Sequence, residues 1–201
     1  MMESDLFEYI SLFEKRFKKT KVVNEEMDDE TYHYLVEKHE NYANFVKKEG
    51  FCSYENGLFS TINPLKYKRK LEANNIENLY GGDPIVMTGF GDFIFSDLTH
   101  GPNSFYYSFY DECYNCGSKV GEIFTNDLLD NEHQKESMKK KLFKQAIEKF
   151  GVLSHDQLFS FPMDFPWANE KDLEKIENVV VYSVDEYLKL IALKHNKMEK
   201  K

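Results

Sequence analysis

The chain has 201 residues, 41% apolar and 15% aromatic, enough for a sizeable core in one domain or slightly more, which excludes a chain disordered by composition. Its 35 acidic and 26 basic residues give a formal net charge of −9, which repels phosphates at long range and counts against a nucleic-acid or anionic-membrane binder. Three cysteines (Cys52, Cys113, Cys116) make no even disulfide framework, no apolar run approaches the ~20 residues that span a bilayer, and residues 1–8 lack the basic and apolar regions of a secretory signal, so a cytoplasmic location is expected.

Asp5 to Lys19 reads as an amphipathic helix, with Leu6, Tyr9, Ile10, Phe13 and Phe17 at three- and four-residue spacing. Lys15, Arg16, Lys18 and Lys19 crowd its last turn, where cations complement the helix dipole; a phosphate contact is the functional alternative. A second helix is predicted from about Asp29 to Glu49, with Gly50 placed to end it. His33 and His39 lie on it without a second ligand type at metal-binding spacing, so they read as helix-face residues. The period then changes. Phe51–Tyr54 and Leu58–Ile62 read as a hairpin turned at Asn56-Gly57, and Asn63-Pro64 starts a helix as N-cap and N1 that ends at Asn74-Asn75.

Gly81 to Pro84 reads as a loop. Ile85–Thr88, Phe93–Asp97, Ser104–Tyr110 and Lys119–Phe124 are predicted strands of an antiparallel meander, joined by Gly89-Phe90-Gly91-Asp92, by His100 to Asn103, and by a connection carrying Asn115-Cys116-Gly117. Aromatics on both faces of 105–110 place that strand centrally, covered on both sides. Glu136–Phe150 is strongly helical, with Gly151 as its stop, and Phe159–Trp167 reads as an irregular Pro-rich bridge. Val179–Tyr182 is a strand candidate. Val184–Lys194 is a final helix, with Tyr187, Leu188 and Ile191 inward and a capping box of Ser183 and Glu186. The fold class is α+β, a mid-chain antiparallel sheet with helices packed at both ends. Two regions are expected, 1–125 with the sheet and N-terminal helices and 126–201 with the C-terminal helices, packed on one body that can equally be one domain over 1–201.

Chemistry is sparse in this pattern. No serine lies in a Gly-x-Ser-x-Gly elbow, six scattered histidines declare no triad, and His155 reads as a loop residue near a helix start. Cys113 and Cys116 have the two-residue gap of half a zinc knuckle, but a tetrahedral site would have to recruit Cys52 with His133 or His100. Gly89-x-Gly91 lacks the third glycine and the lysine of a phosphate loop, so its glycines read as a tight turn or a close backbone approach. Asp92 and Asp97 read as turn-capping carboxylates, with an acid–base or Mg²⁺ pair as the alternative. No catalytic, cofactor-binding or metal residue is assigned, and no cofactor is expected.

Asn56 to Pro64, Pro84-Ile85 and Thr88 to Asp92 together resemble the GAD-like domain family. Gly151-Val152-Leu153, Asp156 to Phe159 and Val184 to Ile191 look like the C-terminal domain that often accompanies it. The resemblance spans roughly residues 28 to 195. It departs at Phe161–Trp167, where the family usually carries a Gly-Gly. The pair is typified by immunity proteins that neutralise DNase effectors of type VI secretion systems. The resemblance therefore implies a non-enzymatic protein that occludes a cognate protein toxin, a DNase in the family's case, with neither nucleic acid nor membrane as direct partner. The acidic stretches Asn24–Glu30 and Asp127–Glu132 are candidate contacts with a basic toxin. Two rival readings stand beside it: an enzyme with a pocket near Asp92, His100 and Tyr106, and a small zinc-stabilised interaction module.

Overall fold

A computed structural model describes residues 13–22, 27–76, 82–96, 104–110, 112–115, 128, 131–162 and 173–198. Seven antiparallel strands follow one another in chain order in a single sheet: β1 (Lys19–Val22), β2 (Cys52–Tyr54), β3 (Phe59–Thr61), β4 (Asp83–Thr88), β5 (Phe93–Ser96), β6 (Ser104–Tyr107) and β7 (Glu112–Asn115). The described helices are α1 (Asp29–Glu49), α2 (Pro64–Ala73), α3 (Asn131–Glu136), α4 (Lys140–Phe150) and α5 (Val184–Met198). A second, two-stranded sheet pairs β8 (Gln157–Ser160) with β9 (Val180–Ser183). The architecture is α+β, with the helices before and after the meander strands β4 to β7.

Local signals set most boundaries. Asp28 caps α1 by accepting from the Thr31 N–H at 2.7 Å, and Gly50 ends the helix at φ 75°. Asn63 Oδ1 accepts from the Lys66 N–H at 3.1 Å, with Pro64 at the first helical position of α2. Ser183 Oγ accepts from the Glu186 N–H at 3.2 Å to start α5.

Several predicted boundaries are corrected. Residues 13–16 are helical, but the predicted first helix does not reach Lys19, which opens β1 and pairs with Tyr54. Backbone pairing with β2 outweighs a weak helical end. The β2–β3 connection runs over Glu55–Gly57, with positive φ at all three residues, rather than as a two-residue turn. Asp83 and Pro84 belong to β4. β3 pairs only with Val86–Thr88, so the missing Pro84 N–H costs no ladder bond on that side. β6 stops at Tyr107, and residues 112–115, read as part of a connection, form β7. The helix predicted over Glu136–Phe150 begins only at Lys140, after Lys139 with φ 48°, and Glu136 ends the separate α3. Phe159 and Ser160, assigned to the Pro-rich bridge, are in β8, and α5 continues past Lys194 to Met198. The predicted strand at 119–124 lies outside the described residues.

Both faces of the sheet are covered. One core cluster joins Leu35, Tyr42 and Phe45 of α1, Phe59, Ile94 and Phe105 of the sheet, and Leu142, Phe143 and Ala146 of α4. The other joins Tyr67 and Leu71 of α2, Met87, Phe93, Phe95 and Tyr106 of the sheet, and Tyr187, Leu188 and Ile191 of α5. Phe105 and Tyr106, adjacent in β6, thus belong to opposite cores, as strand alternation requires. Tyr42 fastens α1 to the sheet by donating to the carbonyls of Ile62 (3.0 Å) or Ile85 (2.9 Å).

Candidate functional site

The turn between β4 and β5 is where the C-terminal part meets the sheet. A Cβ on Gly89 would stand 2.3 Å from Cε2 of Phe143 and 2.6 Å from the Gly57 carbonyl oxygen. A Cβ on Gly91, which has φ 82°, would stand 2.7 Å from Cε1 of Tyr187. Two glycines that superficially suggest a phosphate loop are seats for aromatic rings of α4 and α5. Backbone bonds reinforce the seat: the Gly89 N–H donates to Leu58 O and the Phe159 N–H to Gly89 O, both at 2.8 Å.

Around this turn the fold gathers Thr88, Asp92, Ser108, Ser160 and Tyr187, all at most 4% exposed. The Ser108 N–H donates to Asp92 Oδ1 at 3.1 Å, and Thr88 Oγ1 donates to Asp92 Oδ2 at 3.4 Å. Thr88 Oγ1 also accepts from the Asp92 N–H at 3.1 Å. Ser108 Oγ lies 2.7 Å from Tyr187 Oη and 2.8 Å from Gly91 O. Burial pushes the Asp92 carboxyl up to about 7, against the opposing pull of Lys139 and the hydrogen bonds from Ser108 and Thr88. Burial, and then repulsion from Asp92, holds the Tyr187 phenol well above its usual value. A carboxyl poised near neutrality beside two hydroxyls has the titration of a general acid or base. Its position inside the protein makes it a polar tie between the sheet, β8 and α5.

The predicted site residues fall as follows. Asp92 and Tyr106 are buried in different settings: Asp92 in this polar node, Tyr106 in the core beside Phe95. His100 and Asp97 lie outside the described residues. Cys52 is in β2 and Cys113 in β7, five strands along a sheet with a spacing of ~4.8 Å, about 24 Å in all, so they share no metal ion. Cys116 lies outside the described residues, as does the His133 side chain. Among the described residues no group of three or more His, Cys, Asp or Glu side chains converges as a metal site. His155 is exposed in the turn before β8. His33 is exposed on α1 and lies 2.7 Å from Asp29 O; the His39 side chain lies outside the described residues.

Two polar assemblies were not legible in the sequence. Tyr34 Oη donates to the buried Asp83 carboxylate at 2.7 Å, and Lys68 Nζ pairs with it at 3.2 Å, joining α1, α2 and β4. A groove of about 500 Å³ runs between the starts of α1 and α2, lined by Asp28, Thr31, Asn63, Lys66, Arg69 and Lys70. Its charges are mixed: Arg69 pairs with Glu30 at 2.6 Å, and Lys70 with Asp185. Of the acidic stretches, Asp28–Glu30 is exposed at the start of α1, while Glu132 is exposed and paired with Lys135. No described helix is long and apolar enough to cross a membrane.

Residues 7–98 match the GAD-like domain. No curated protein matches the chain. The fold is similar to that of Atu4351 from Agrobacterium tumefaciens, at 17% identity and a TM-score of 0.59, over 89% of this chain and 86% of that one.

Proposed function

We propose, on the premise that residues 7–98 belong to the GAD-like domain family, that the chain is a non-enzymatic, immunity-type protein that binds and occludes a cognate protein effector. A nuclease is the effector class that the resemblance implies. The carrying observation is where the polar node found among the described residues lies. Asp92, Ser108 and Tyr187 are at most 4% exposed and bonded to one another or to neighbouring backbone. What the molecule offers a partner is therefore its outer surface, on a chain of net charge −9. Such a surface accelerates encounter with a basic nuclease and disfavours nucleic acid itself. The resemblance of Gly151-Val152-Leu153, Asp156 to Phe159 and Val184 to Ile191 to the C-terminal domain that often accompanies the GAD-like domain points the same way.

The test is co-expression with any toxin candidate that a neighbouring gene encodes. Immunity predicts that the chain co-purifies with that toxin and restores growth to cells producing it. Failure of both would overturn the reading, as would measurable turnover of a substrate by the purified chain that is lost in Asp92→Asn.

A further inference from the structure

The strongest surface feature that this reading leaves unexplained is cationic, in a chain that is acidic overall. From Lys139 to Phe150 the sequence holds five lysines (139, 140, 141, 144, 149) and one glutamate (148), a local charge of +4. α4 buries Leu142, Phe143 and Ala146 and turns Lys141 and Lys144 to solvent. The fold adds to this face the basic run after Phe13, more than a hundred residues earlier. The Lys18 N–H donates to Glu55 Oε1 at 2.9 Å, and the Asn56 N–H donates to Thr20 Oγ1 at 2.7 Å, which fixes the β2–β3 tip beside that run. On the other side of the tip, a Cβ on Gly57 would touch Phe143 of α4 at 3.9 Å. Lys140 consequently feels three charges besides its own burial: Glu55, which favours its protonated form, and Lys144 and Arg16, which oppose it.

We propose that this face docks an acidic segment of the protein partner, with Lys141, Lys144 and Arg16 meeting its carboxylates. Charge complementarity selects the occupant. The net charge of −9 also repels a uniformly charged polyanion while tolerating a short acidic segment on a neutral or basic partner. The inference rests on the proposed function only in taking the partner to be a protein.

The test needs no effector, so its failure is distinguishable from failure of the immunity reading. A fluorescent peptide carrying a short run of glutamates between neutral residues is titrated with the full chain at about 0.1 M salt, where the Debye length is ~10 Å, beside a DNA duplex. The wild type is expected to prefer the peptide. Lys141→Glu with Lys144→Glu should weaken peptide binding about tenfold or more. A control of equal charge change elsewhere, Lys47→Glu with Lys189→Glu, should stay within about twofold, because screening confines the effect to nearby charges. Absence of peptide binding by the wild type, equal losses in both double variants, or tighter binding to DNA would each overturn the proposal.

Discussion

Replacing Asp92 with Asn is the sharpest probe of the polar tie. Asp92 is 4% exposed and its carboxyl is pushed from 3.8 up to about 7 by burial. A raised folded-state value means that the native protein holds the proton more tightly than the unfolded chain. This contribution to stability is fully present below about pH 4 and is lost as pH rises through about 7. The whole shift corresponds to about 4 kcal/mol at ~1.36 kcal/mol per pH unit, of which about 2–3 kcal/mol falls between about pH 5 and pH 8. Asn keeps an oxygen for the Ser108 N–H and places an amide where Thr88 Oγ1 can accept, without an ionisable group. Urea unfolding at the two pH values should therefore show the variant gaining about 2–3 kcal/mol on the wild type as pH rises. An equal difference at both pH values would refute the reasoning, because Asp92 would then carry the same charge in the folded and unfolded chains across that window.

Three further outcomes follow from the packing. Gly89→Ala should destabilise by about 2–4 kcal/mol in thermal or urea unfolding, since its Cβ meets a backbone oxygen at 2.6 Å as well as the Phe143 ring and no rotamer change relieves both. Lys68→Met should cost about 2–3 kcal/mol and Tyr34→Phe less, because removing the cation takes the ion-pair partner from the buried Asp83 carboxylate; equal losses would reassign the main support of Asp83 to the phenol. Asn63→Ala should cost about 1 kcal/mol through the lost cap and the lost Asn63–Thr31 bond, and Asn63→Asp should recover part of it, measured as Tm.

Helix ends were legible because their causes are local. Asn63-Pro64, Gly50, Gly151 and Ser183 with Glu186 each act within four residues, and each stands where the sequence places it. The two-sided burial of 105–106 was legible for the same reason, since alternation is a property of the strand alone. The errors came where distant backbone decides. Lys19 closes the predicted first helix but opens β1 against β2, and Glu112–Asn115 has no strong strand signal yet pairs with β6 residue for residue. At Lys139 no glycine or proline marks the helix break.

What the sequence determined by itself is the α+β order of elements, the acidic balance, and the GAD-like signature of turns and caps, because each depends on neighbours in the chain. Only the tertiary structure decided what Gly89, Gly91 and Asp92 are for. Nothing within ten residues of them announces that Phe143 and Tyr187 will lie on the two glycines, or that Ser108 will cover the carboxylate. The same holds for the cationic face, where Arg16 comes near Lys140 of α4 only because the β2–β3 tip packs between the segments that carry them. Close packing and charge act through space, and a linear sequence records distance only along the chain.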